Sequence, residues 1–304
     1  MFLTSALRSI PGFPPQADSM RWVITAMTSA LLPFTANAAE YSAAAQIAAA
    51  ESAFAAHSVA TDMREAFLAA LAEDSTLLRP GPVPGRETIR KNPAPPIELN
   101  WRPAFVYAAT SGEIGYSTGP WRAKSKNDPS APPKFGQFVS IWKRQADGVW
   151  KVFIDFGISH PGPALTDAWL MLSAATQAGA DAAAAKNAEK TFSEISEKSG
   201  YLEALKRFSA KDGRVYRDGH APFLGHDAIG TVPNTNSYAG SGQEIVSSGL
   251  SRAGDMAFAL VRIAPRKADA SLDQPAAHAL RIWKAAADGK FELVLDVLNE
   301  MPKQ

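Results

Sequence analysis

Asp155 stands in the stretch WKVFIDFGI, with Val152, Phe153 and Phe156 around it. A carboxylate set among hydrophobes is paired, is catalytic, or closes the end of a strand. As a catalytic group it would be a general base, because burial disfavours its charged form and raises its proton affinity. As a structural group it would hold the strand end by a hydrogen bond. An acid recurs at Asp296, between Leu295 and Val297, and that recurrence favours the structural role. Trp101, Tyr107, Tyr116 and Trp121 are aromatics that could wall an apolar hollow, and Phe138, Trp142 and Phe153 extend the set. Tyr116 would supply the one phenol donor opposite Asp155. Aromatics at period two are also what a plain core uses. Phe258 aligns with Tyr116 in the later part of the chain, so that part lacks the hydroxyl and the earlier hollow is the better candidate.

Other chemistries find less support. The chain contains no cysteine, which excludes disulfides, thiolate metal sites and cysteine nucleophiles. DGHAPFLGHD (218–227) gathers His220 and His226 with two aspartates, but the spacing matches no zinc or iron pattern. It reads as a solvated loop, and neither a metal nor a cofactor is expected. YAGSGQ (238–243) lacks the Lys-Ser/Thr of a phosphate loop, and no Gly-x-Ser-x-Gly elbow is present. Asp74 and Asp212 read as carboxylates capping a helix-to-strand turn. A net charge of +1 without a basic block excludes the electrostatic footprint of a nucleic-acid binder.

The elements that would position Asp155 are written twice. IWKRQADGVWKVFID (141–155) returns as IWKAAADGKFELVLD (282–296), an offset of 141. AAESAF (49–54) parallels NAEKTF (187–192), and AEDSTLLRPG (72–81) parallels AKDGRVYRDG (210–219), both at 138. GRETI and GHDAI follow at 140, SGEIGYST and AGDMAFAL at 142. Order kept with a slowly drifting offset points to duplication of a whole domain. Each half then opens with an alanine-rich helix (41–59; 180–197). A second helix follows, capped at Asp62 with Glu65 as capping-box partner in the first half, and near 201–210 in the second. A short strand (75–79; 213–217), a helical turn and further strands complete each half. Ala-Asp-Gly at 146–148 and 287–289 predicts a tight hairpin turn. Residues 135–144 carry hydrophobes on both faces, so one face should pack on helices and the other be covered, most simply by the sister sheet. The boundaries expected are 1–38, 39–163 and 164–304.

The first of these segments reads as an address. Arg21, an apolar run from Trp22 to Phe34 and the small-x-small trio Ala36-Asn37-Ala38 make a secretory leader cut after Ala38. Residues 1–19 do not suit such a leader, which places the start at Met20. A periplasmic or secreted protein with no membrane anchor after cleavage is expected.

Glu73-Asp74, Gly85-Arg86-Glu87-Thr88-Ile89 and Trp142 to Asp155, with their echoes, resemble the nuclear transport factor 2-like superfamily. The nearest likeness is to its polyketide cyclase-like and ketosteroid isomerase-like members. The resemblance covers about 45–160 and 183–300. It implies an α+β chain of two tandem cone-shaped domains, each with N-terminal helices packed on a curved, mainly antiparallel sheet. It also implies a sheet-to-sheet pseudo-dimer, with homo-oligomers allowed, and a cavity inside each cone. An isomerase-like mechanism would use Asp155 as base and Tyr116 as enolate donor. Three readings follow in order: a non-catalytic binder of a small apolar or aromatic molecule; an isomerase, dehydratase or cyclase acting through Asp155; and a structural pseudo-dimer with filled cavities. The fold does not choose among them.

Overall fold

Alanine spacing and a serine cap start the first helix: Ser42 accepts from the Ala45 amide and α1 runs Ala43–Ala60. Asp62 caps α2 (Met63–Ala70) through the Glu65 amide at 2.9 Å. The Glu65 carboxylate turns to Arg64, so half of the expected capping box forms. The computed structural model describes residues 42–163, 171–174, 182–233, 238–265 and 275–302, all within one unit of the chain. The expected leader (1–38) lies outside the described residues.

After α2 come β1 (Leu71–Leu78), β2 (Pro82–Pro84), α3 (Gly85–Lys91), β3 (Ile97–Trp101) and β4 (Phe105–Ala108). Then come β5 (Ile114–Ser125), β6 (Lys134–Arg144), β7 (Trp150–His160) and β8 (Met171–Ala174). The order of helices and strands then repeats. It runs α4 (Ala182–Ser199), α5 (Tyr201–Phe208), β9 (Ser209–Arg217), β10 (Phe223–Leu224) and α6 (His226–Ile229), and ends with β11 (Gln243–Leu250), β12 (Met256–Ile263), β13 (Ala277–Ala285) and β14 (Phe291–Glu300). The result is an α+β chain with two sheets. The first has the order β2-β1-β7-β6-β5-β4-β8 with β3 also on β5; the second is β10-β9-β14-β13-β12-β11. Most neighbours are antiparallel, while β1/β7, β4/β8 and β9/β14 are parallel. β8, which lies beyond residue 163, pairs with β4 and so belongs to the first sheet. Asp74 and Asp212 lie inside β1 and β9, not in the turns ahead of them, because both strands begin several residues earlier than their apolar runs suggest.

Gly148 and Gly289 turn the two closing hairpins with φ of 85° and 78°, as Asp-Gly requires. The second strand of each hairpin also carries a bulge in the same place. Ile141 pairs with Ile154 and Trp142 with Val152, which leaves Phe153 as the extra residue. Ile282 pairs with Leu295 and Trp283 with Leu293, which leaves Val294. One extra residue reverses the alternation beyond it. Val152 and Asp155 therefore share the helix-facing side of the first sheet, as Leu293 and Asp296 do in the second.

That face of the first sheet packs on α1 and α2 through Ile47, Phe54, Phe67, Val106 and Trp142. Phe192, Tyr201, Leu205, Val261 and Trp283 do the same in the second. The opposite faces share a third cluster, in which Tyr116, Val139, Ile141 and Phe156 meet Tyr216, Phe258, Leu280 and Leu295. Polar contacts thread it: the Thr118 and Tyr216 hydroxyls are 3.0 Å apart, and the Arg214 guanidinium lies 3.8 Å from the Phe105 ring centre. Both faces of β6 are apolar because both are covered.

Candidate functional site

On the helix-facing side of the first sheet a cavity of about 540 Å³ opens between α1, α2 and the strands. Its apolar wall includes Phe54, Met63 and Phe67 from the helices and Trp101, Trp121 and Phe138 from the sheet. Trp121 can lie across the strands because Gly136 faces it in register. A Cβ on Gly136 would come within 2.3 Å of the indole. The Trp121 Nε1–H donates to the Ile158 carbonyl at 3.1 Å, so its polar atom is satisfied and its apolar ring is left to the hollow. The charged lining residues are Arg79, Lys134 and Asp155.

The β7 bulge brings Asp155 to this wall. Its Oδ2 accepts from the Ser140 hydroxyl at 3.2 Å, and its Oδ1 is 3.7 Å from Arg79 Nη2. Burial raises the proton affinity of the Asp155 carboxyl, with Arg79 and Ser140 opposing it. Arg79 is the half-exposed member of the pair, and its guanidinium also lies 5.6 Å from the Phe67 ring centre.

Behind the wall is a residue that the sequence reading passed over. Glu51, in the middle of α1, is fully buried. It accepts hydrogen bonds from Trp101 Nε1 at 2.5 Å, Ser117 Oγ at 2.6 Å and Trp142 Nε1 at 3.0 Å. Burial pushes its pKa from 4.5 up to about 7, with a smaller contribution from Asp155, against the pull of the three donors. The signal was present: Glu51 is the only acid in an alanine-rich helix, and Glu189 repeats it 138 residues later. Its role is to fix the two indoles, one of which, Trp101, is cavity wall.

Trp101, Trp121, Phe138 and Asp155 thus meet at the cavity, whereas four other candidates do not line it. Tyr107 and Tyr116 belong to the cluster between the sheets. Alternation is the reason: along β5, Trp121 and Ser117 point to the helices, so Tyr116 points away. The Tyr116 hydroxyl is buried without a hydrogen-bond partner among the described residues and is no donor to a group beside Asp155. Phe153, the bulged residue, packs against the shared cluster, with the Lys143 ammonium 3.1 Å from its ring centre and Phe258 at 5.9 Å. Trp142 faces the helices but is buried behind the wall on Glu51. The stretch 218–227, expected as a solvated loop, instead contains β10 and the start of α6, and its first residues brace β7: Asp218 accepts from the Ser159 amide at 2.8 Å, and the Gly219 amide donates to the Ser159 carbonyl at 2.7 Å.

The corresponding space in the second half holds side chains. Tyr201, first residue of α5 as Met63 is of α2, is fully buried and donates to Asp296 at 2.7 Å. Arg281 stands where Ser140 stands, and it pairs with Glu189 and, at 3.5 Å, with Asp296. Arg217 reaches Asp296 at 2.6 Å and Trp283 donates to Glu189 at 2.9 Å. This is a paired, hydrogen-bonded ionic core of the kind that buried charge requires.

Neither a protein-family model nor a curated protein sequence matches the chain. Among solved structures it is similar to a ketosteroid isomerase-like protein from Erwinia carotovora atroseptica, at 16% identity over 38% of this chain and 95% of that one, TM-score 0.31. A nuclear transport factor 2-like protein of unknown function from Silicibacter pomeroyi gives 16% identity over 39% and 94%, TM-score 0.29. A nuclear transport factor 2-like superfamily protein from Salmonella enterica serovar Typhimurium gives 10% over 42% and 97%, TM-score 0.32. Solved structures to which this chain is similar thus include nuclear transport factor 2-like and ketosteroid isomerase-like proteins, each covering about two fifths of this chain.

Proposed function

We propose that the chain binds a small apolar or aromatic molecule in the cavity of its first half and that the second half serves as scaffold. The observation that carries this reading is the contrast between the halves. At equivalent places the first has Met63, Ser140 and an open hollow of about 540 Å³, and the second has Tyr201 and Arg281. A hollow of that size with mostly apolar walls and few polar groups is the usual form of a small-molecule site. Binding without turnover is favoured over isomerisation because the partners of Asp155 are Arg79 and Ser140, and the phenol expected to hold an enolate faces the other way. Titration with a naphthalene-type probe, followed by the fluorescence of Trp101 and Trp121, tests the reading. Saturable quenching that is lost when the cavity is filled supports it, and no change at any probe concentration defeats it.

Proton transfer by Asp155 is the second reading, favoured by the upward displacement of its carboxyl by burial. Exchange of α-protons of a cyclic ketone, followed by NMR with wild type and Asp155→Asn, decides it: equal rates in both exclude a base at this position. Export by the 20–38 leader belongs to the same proposal. N-terminal sequencing of the mature protein should begin near Ala39, and a mature chain retaining residues 20–38 would reject it.

A further inference from the structure

We infer that the ligand of the first-half cavity is an amphipathic anion, an aromatic or alicyclic carboxylate whose charged end meets Arg79 while its ring system lies against Phe54, Phe67 and Trp101. The inference rests on the reading of this cavity as a binding site and adds the chemical class. Of the three charged residues in the lining, two are cations and one is an acid. The acid is nearly buried, and the cation beside it is half exposed. At 3.7 Å the Arg79–Asp155 contact is longer than a hydrogen bond. The guanidinium therefore keeps donors for a second acceptor, and a planar fork suits a carboxylate. In the second half, by contrast, Arg217 is drawn to 2.6 Å from Asp296, with Arg281 also paired to that acid. The first half has Ser140 in place of that second arginine, and one cation is left partly uncommitted.

Lys134 contributes differently. It lies six residues before Ser140 on β6, roughly 20 Å away along an extended strand. Lys134 adds positive potential at the far end of the wall and should affect capture in a salt-dependent way. Burial raises the proton affinity of Asp155, which lessens its repulsion of an anion lodged beside it.

The test uses the full chain and three probes of one shape: 2-naphthoate, 2-naphthylmethanol and 2-naphthylmethylamine. Binding is measured by calorimetry and by Trp fluorescence in wild type, Arg79→Gln and Lys134→Gln. The naphthoate should bind about tenfold tighter than the alcohol, as a charge-assisted hydrogen bond allows. Arg79→Gln should bring the two within about twofold; Lys134→Gln should weaken the naphthoate by about twofold and only at low salt. Circular dichroism and the urea midpoint of Arg79→Gln show that it is folded, and a naphthoate preference kept in that folded variant overturns the role of Arg79. If the alcohol or the amine binds as well as the naphthoate in wild type, the anion class is wrong while the cavity reading stands. If none of the three binds, the cavity reading itself fails.

Discussion

Asp155 and Asp296 occupy the same place beyond the same bulge on the second strands of the two Ala-Asp-Gly hairpins, yet they meet opposite surroundings. Asp155 lines a cavity with a hydroxyl at 3.2 Å and a guanidinium at 3.7 Å. Asp296 is wholly buried between Arg217, Arg281 and Tyr201. The acid alone therefore decides little; what stands opposite it determines whether the site is open.

This contrast predicts unequal costs of neutralisation. Asp296→Asn leaves Arg217 and Arg281 short of a counter-charge in a dry interior and should cost about 3–5 kcal/mol in urea unfolding. Asp155→Asn keeps the Ser140 contact and faces a half-exposed arginine, so its effect should stay within about 1 kcal/mol. Similar losses for the two would show that Asp155 is as structural as Asp296.

Glu51 makes stability depend on pH. Folded, it holds its proton up to about pH 7, whereas its ordinary pKa is 4.5. Its contribution is thus full below 4.5 and is lost as pH rises towards 7, a decline of about 3 kcal/mol. His278, lowered by burial and by Arg262 from 6.5 to about 4, acts in the opposite sense, full above 6.5 and lost as pH falls. The difference between wild type and Glu51→Gln isolates the first effect: the gap in unfolding free energy should narrow steadily from pH 4.5 to 7. A constant gap would contradict it.

Tyr116→Phe removes a buried hydroxyl without a hydrogen-bond partner among the described residues. Stability should be unchanged or higher by up to about 1 kcal/mol, and probe affinity should be unaltered. A tenfold loss of binding would return Tyr116 to the site and revive the enolate mechanism.

Much of this fold was legible in the residues. The Asp-Gly turns, the alanine-rich helices, the doubly apolar β6 and the repeated order of elements all appear where composition and periodicity place them. The acid at the cavity wall, Asp155, was legible too. What sequence did not convey was facing. Tyr116 and Trp121 are five residues apart on β5 and so lie on opposite faces, a conflict visible in the numbering once both belong to one unbroken strand. The bulge at Phe153 carries no turn residue to announce it, and it reverses the facing of everything after it. Glu51 was passed over because an acid in a long helix usually faces water. Only the three donors converging on it reveal otherwise.

The most direct test of the central claim fills the first cavity with the second half's own residues. In Met63→Tyr/Ser140→Arg, the new arginine has Glu51 and Asp155 to pair with, as Arg281 has Glu189 and Asp296. The account predicts a folded protein, at least as stable as wild type, whose affinity for a naphthalene-type probe falls about tenfold or more. A folded variant that binds the probe as tightly as wild type would contradict it.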